Sequence, residues 1–174
     1  MKFCDMPYER IDVKAATEAL DAAAERLSAA KTIEEAEKAF AEREKIISHV
    51  QTMSTIAYIR HTVNTLDEFY EKENDFNDEN APLIEQSEQK FTEAMLGSPL
   101  RAQLEEKYGK LMFVNAELSR RCFSPEIIPD LQEENKLSSE YQKLIAAAQI
   151  DFNDEKLSLS QLGAYKENAL SLIH

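Results

Sequence analysis

Apolar residues recur along most of this chain at the three- and four-residue spacing of an amphipathic helix, so each segment presents one face to be buried. After an irregular start containing Pro7, the residues Ala16, Leu20, Ala23, Ala24 and Leu27 mark a first, alanine-lined helix over about 13–30. Thr32 and Glu35 stand at the spacing of a capping box, in which hydroxyl and carboxylate each satisfy an orphan backbone N–H, and a second helix is expected to start there. Its stripe of Ala36, Phe40, Ile47, Val50 and Ala57 meets no Gly or Pro before Pro82. The T-x-x-E pattern repeats at Thr65 and Glu68, which predicts a boundary or bend near Thr65.

Helical spacing resumes from Asp67 to Leu96 through Phe69, Tyr70, Phe76, Leu83, Ile84, Phe91 and Met95, with a kink expected where Pro82 removes a backbone donor. Gly97, Ser98 and Pro99 predict a stop and restart: a left-handed glycine, a serine cap and a proline in the next first turn. A short helix to Tyr108, a stop at Gly109 and a stretch through Leu111, Met112, Val114, Ala116 and Leu118 follow. Ser124 and Pro125 open the last long helix, which carries Ile127, Ile128, Leu131, Leu137, Tyr141, Leu144, Ile145 and Ala148 and is interrupted by a polar patch over 133–136. Alternation of Ile150, Phe152, Leu157 and Leu159 around a turn at 153–156 predicts a β-hairpin near 149–160. No repeat or linker divides the chain. The expected fold is all-α, one unit over 1–174, an antiparallel bundle of five to seven helices with a small C-terminal hairpin.

Composition narrows the function classes. A chain of 174 residues is long enough to bury about two thirds of its unfolded surface, so it needs no metal or disulfide to fold. With 20 Lys and Arg against 33 Asp and Glu, the net charge of -13 repels phosphate backbones and anionic lipid, which argues against nucleic acid and membrane partners. The opening MKFCDMPYER lacks a signal-peptide core and no apolar run approaches the roughly 20 residues that span a bilayer, so a cytoplasmic protein is expected. Cys4 and Cys122 lie far apart without C-x-x-C spacing and read as reduced structural thiols.

Catalytic patterns are missing from the sequence. A zinc hydrolase of the H-E-x-x-H type needs two histidines one helical turn apart with a glutamate beside them. Neither His49, His61 nor His174 has that neighbourhood, and on one helix His49 and His61 fall about 120° apart in azimuth and roughly 18 Å along the axis. No serine sits in a G-x-S-x-G turn, and 3 scattered glycines cannot build a phosphate loop. The acidic run over 75–79 reads as a solvated helix face, with adventitious binding of a hard cation as the weaker alternative. No catalytic residue, metal ligand or cofactor is therefore assigned to this chain.

The segment 52–65, TMSTIAYIRHTVNT, stands apart because β-branched and hydroxylated residues crowd a stretch that should be helical. It holds its helix only if tertiary contacts engage both faces. Two readings stay open: a central bundle helix whose polar side meets neighbours, or a wall of a peptide-binding channel formed by Tyr58, Arg60 and His61.

STIAYIRHTVNTLDEFYEKENDF, with FSPEIIPDLQEENKLSSEYQKLIAAAQIDF, LSLSQLGAY and the opening FCDMPYER, resembles the N-terminal region of the oligoendopeptidase F branch of the thimet-type zinc oligopeptidases over about 3–165. The resemblance implies a mostly helical, ellipsoidal peptidase enclosing a deep channel for short peptides, with zinc held by an H-E-x-x-H helix and a downstream glutamate. Those residues lie beyond the matched region, so zinc is implied for the full-length family only. The chain is expected to be its N-terminal helical portion, contributing channel wall and substrate access and inactive alone. The tail 166–174, KENALSLIH, departs from the family pattern and ends in Leu170, Leu172 and Ile173, which fits either an excised fragment or a shortened reading frame. The second reading is a stand-alone, truncated helical module that self-associates through the surface left by the missing catalytic half.

Overall fold

The computed structural model describes residues 3–168. Seven α-helices and one two-stranded sheet make up the described chain, in the order α1 to α6, β1, β2, α7. Asp12 opens α1 (Val13–Ala29) by accepting from the Ala15 N–H at 2.9 Å. Thr32 caps α2 (Ile33–Val63), accepting from the Glu35 N–H at 3.3 Å, while the Glu35 carboxylate reaches past Thr32 to the Lys31 N–H at 2.8 Å. The bend expected near Thr65 is present, but Asp67 supplies the cap of α3 (Glu68–Leu96), accepting from the N–H groups of Phe69 and Tyr70.

Two details at the following turns differ from expectation. Gly97 is right-handed (φ -86°), and its lack of a side chain matters for space, since a Cβ would stand 3.2 Å from the Glu93 carbonyl. The left-handed glycine is Gly109 (φ 89°), joining α4 (Arg101–Tyr108) to α5 (Lys110–Cys122). Ser98 does not cap α4 directly: its hydroxyl accepts from the Leu100 N–H in the turn before the helix.

Helices α1, α2 and α3 form the trunk, and two apolar clusters hold it. At one end, Ala23, Ala24, Ala30, Ala36 and Ala39 let α1 and α2 approach closely, while Phe91, Met95, Leu104 and Phe113 bring in α3, α4 and α5. Phe40 meets Phe91 edge-on at 5.1 Å and stacks on Tyr108 at 5.2 Å. At the other end, Ile11, Leu20, Ile47, Val50, Met53, Ile56 and Ile84 seat the N-terminal segment.

A 3-10 turn (Pro125–Ile127), capped by Ser124, runs directly into α6 (Ile128–Ala147), which the polar patch over 133–136 does not interrupt. β1 (Ile150–Phe152) and β2 (Glu155–Leu157) pair antiparallel, with Ile150 opposite Leu157, around a turn in which Asn153 and Asp154 both have positive φ, as tight hairpins require. Leu159 is not a strand residue. It begins α7 (Leu159–Asn168), whose first turn is closed reciprocally, the Ser158 hydroxyl accepting from the Gln161 N–H and the Gln161 side-chain carbonyl from the Ser158 N–H. The apolar tail residues Leu170, Leu172 and Ile173 lie outside the described residues. No described helix is long and apolar enough to cross a membrane.

Candidate functional site

The hydroxyl-rich part of α2 keeps its helix because both faces are engaged. Met53, Ile56 and Ala57 are buried against the trunk, and the Met53 sulfur accepts from the Glu9 N–H at 3.4 Å. Thr52 turns its hydroxyl back onto the Ser48 carbonyl at 2.6 Å. The three residues singled out at its end do not form one surface. Tyr58 and Arg60 point about 200° apart on the helix, and their surroundings differ accordingly.

Tyr58 is 46% exposed. Arg60 turns inward, donating to the Met6 carbonyl at 2.6 Å and to the Tyr70 hydroxyl, with its guanidinium 5.4 Å from the Tyr70 ring and 5.9 Å from that of Phe3. It ties the N-terminal segment to the trunk. His61 is only 3% exposed, and its Nδ1 has no hydrogen-bond partner.

The N-terminal segment is fastened a second time. Buried Glu73 accepts from the Tyr8 hydroxyl at 2.6 Å and from Arg10 Nε at 3.0 Å, and Arg10 lies over the Phe76 ring at 4.7 Å. Arg10 in first place, then the Tyr8 hydroxyl, outweigh burial and hold the Glu73 carboxyl below the ordinary range. Burial, then the Glu73 carboxylate, push the Tyr8 hydroxyl well up.

Two grooves border this region. One, of about 370 Å³, runs between α2 and α3 over a floor of Ile11, Val50 and Ile84, and no charged side chain lines it; Ser54, Thr55, Asn77 and Asn80 supply its polar atoms. Gln51, Thr55 and Tyr58 succeed one another at i, i+4 and i+7, so the exposed tyrosine continues the same side of α2. The second, of about 460 Å³, lies between α3 and α6 and is lined by Asp75, Asp78, Glu79, Gln132, Ser139 and Lys143 among others. Sequence reasoning did not single out Ser54, Thr55, Asn77 or Asn80. The available signal was hydroxyls inside a poor helix former, with the two asparagines one turn apart on the next helix.

His49 and His61 belong to the same helix, one exposed and one buried, and among the described residues no group of three His, Cys, Asp or Glu side chains is placed to hold a metal ion. The zinc implied by the resemblance does not fit the residues described.

The model of the Peptidase M3 N-terminal domain matches residues 3–123. Among solved structures, PZ peptidase A with an inhibitor is 40% identical with a TM-score of 0.90, covering 94% of this chain and 29% of its own. A chain assigned as oligoendopeptidase F from Bacillus anthracis str. Ames is 41% identical with a TM-score of 0.90, covering 95% of this chain and 30% of its own. Another oligoendopeptidase F is 38% identical with a TM-score of 0.91, covering 96% and 30%. The chain thus spans less than a third of the length of these relatives. No curated protein matches it.

Proposed function

Because the chain belongs to the Peptidase M3 N-terminal domain family, we propose that it is the N-terminal helical portion of a cytoplasmic, zinc-dependent oligoendopeptidase, shaping the channel wall and peptide access without catalytic residues of its own. The observation that carries this reading is that 94–96% of the chain superposes on only 29–30% of three peptidase chains at TM-scores of 0.90–0.91. The peptide-facing surface on this reading is the neutral groove of Ser54, Thr55, Asn77 and Asn80, continued by Tyr58. Amides and hydroxyls over an apolar floor suit a peptide backbone with small side chains, and a groove without charge does not select for a charged sequence. Arg60 and His61 belong to the same wall as supports: Arg60 fixes the N-terminal segment, and His61 underlies the helix end. Zinc and the groups that use it are supplied by chain beyond these 174 residues.

The test replaces the matching region of the Bacillus anthracis oligoendopeptidase F with this chain. The chimera is expected to cleave a short quenched-fluorescent peptide and to lose that activity to a chelator, and Tyr58→Ala is expected to raise KM several-fold while kcat holds. The 174-residue chain alone is expected to give no turnover. Chelator-sensitive cleavage by the chain alone refutes the reading.

A second reading, a self-associating helical module, draws on the apolar stripes that α5 and α6 leave uncovered: Leu111, Val114 and Leu118, and Leu137, Tyr141 and Leu144.

A further inference from the structure

Neither apolar cluster contains a residue beyond Ala116. Within 124–168 Leu157 is the one buried side chain among those described, and α6, at 20 residues, buries none. A helix of that length is normally held by its apolar face, yet here Leu137, Tyr141 and Leu144 are 54, 63 and 68% exposed. What holds α6 is a seam of polar contacts to α3, and Pro82 creates its centre.

Proline has no N–H, so the Asp78 carbonyl four residues earlier loses its helical donor, and the ring disturbs the turn around it. Asn135 Nδ2 donates to that carbonyl at 3.1 Å, and Gln132 Nε2 donates to the neighbouring Glu79 carbonyl at 2.7 Å. One turn further along α6, the Ser139 hydroxyl donates to the Asp78 carboxylate, which also accepts from Asn74 at 3.0 Å. Lys143 closes the row on Glu71 at 2.9 Å and Asp75 at 3.5 Å.

We infer that residues 124–168 form an arm that undocks from the trunk as a unit, hinged at the Phe123–Ser124 junction and latched by α6 side chains on the Asp78 carbonyl that Pro82 leaves open and on the Glu79 carbonyl beside it. Undocking exposes polar atoms that water can satisfy and no fully buried apolar side chain of α6, although Ile128 and Leu131 are half-buried, so it costs less than opening the trunk. The hinge coincides with the end of the family match at residue 123. The groove along the seam already admits solvent to Asp75, Asp78 and Glu79, and burial pushes the Asp78 carboxyl upward, a cost that docking bears and undocking relieves. The arm is held by these contacts whether or not the chain serves a peptidase.

Hydrogen exchange followed by mass spectrometry on the full chain tests it. Amides of α6 are expected to exchange together, about tenfold or more faster than those of α1 to α3. Replacing Gln132 and Asn135 together by alanine is expected to speed α6 exchange by about a further tenfold while α1, α2 and α5 keep their rates. Alanine is the stronger helix former, so that loss cannot come from weakened helix propensity. Protection of α6 equal to that of the trunk, a double variant that accelerates every helix alike, or one that leaves α6 unchanged would each overturn the inference.

Discussion

Two carboxylates on α3, Glu73 buried and Asp78 half-buried, shift in opposite directions. Arg10 holds Glu73 below the ordinary range, so the stability it contributes is complete above the unfolded glutamate value and is lost as pH falls through the lower folded one. Burial holds Asp78 above the ordinary range despite the Ser139 hydrogen bond, so its contribution is complete at low pH and is lost as pH rises through the raised value. Glu71, lowered by Lys143, gives way only further into acid and does not mask this. Acidification from neutral pH toward the ordinary unfolded carboxyl range of about 4, stopping short of it, is therefore expected to slow α6 amide exchange once intrinsic rates are divided out. Asp78→Asn is expected to abolish that gain, and Glu73→Gln to leave it intact while flattening the loss of trunk stability at lower pH in urea melts. Faster opening of α6 in wild type over this interval would contradict the assignment.

Elements were legible in the sequence wherever their signals are local. Thr32, the Gly109 stop and the apolar stripes of α1 to α3 needed only their neighbours to be read, and each lies where spacing placed it. Leu157 and Leu159 misled because two alternating residues are too few to separate a strand from a helix start, although Ser158 and Gln161 carried the capping pattern that decides the matter. The contacts of Arg60 are not legible in the sequence, since the Met6 carbonyl and the Tyr70 ring are brought to it by packing that sequence does not display. The polar patch of α6 looked like an interruption for the same reason: Gln132 and Asn135 acquire meaning only beside Pro82 of another helix. Apolar spacing alone also misjudges how much each helix buries. In α5, Phe113 is fully buried while Leu118 is exposed, so Phe113→Ala should cost about 3–5 kcal/mol and Leu118→Ala less than about 0.5 kcal/mol in urea denaturation. A larger cost at Leu118 than at Phe113 would mean that α5 is seated the other way round.

At the scale of the whole molecule, two long-range features oppose each other. The chain carries a net charge of -13, which keeps copies apart. It also exposes Leu111, Val114 and Leu118 on α5 and Leu137, Tyr141 and Leu144 on α6, stripes of the kind that helices bury against other helices. In a chain spanning 29–30% of its relatives' length, the peptidase reading covers these stripes with further polypeptide, and the self-association reading covers them with a second copy. Salt separates the two. Raising ionic strength from about 0.01 M to about 1 M shrinks the screening length from about 30 Å to about 3 Å, removing repulsion while leaving apolar attraction in place. If a second copy is the natural cover, sedimentation equilibrium will show a discrete dimer that strengthens with salt and returns to monomer in a Leu137→Asp, Leu144→Asp variant of unchanged helicity. If the cover is the rest of a peptidase, the chain will stay monomeric at high salt or associate without fixed stoichiometry, because its stripes complement surfaces it does not carry.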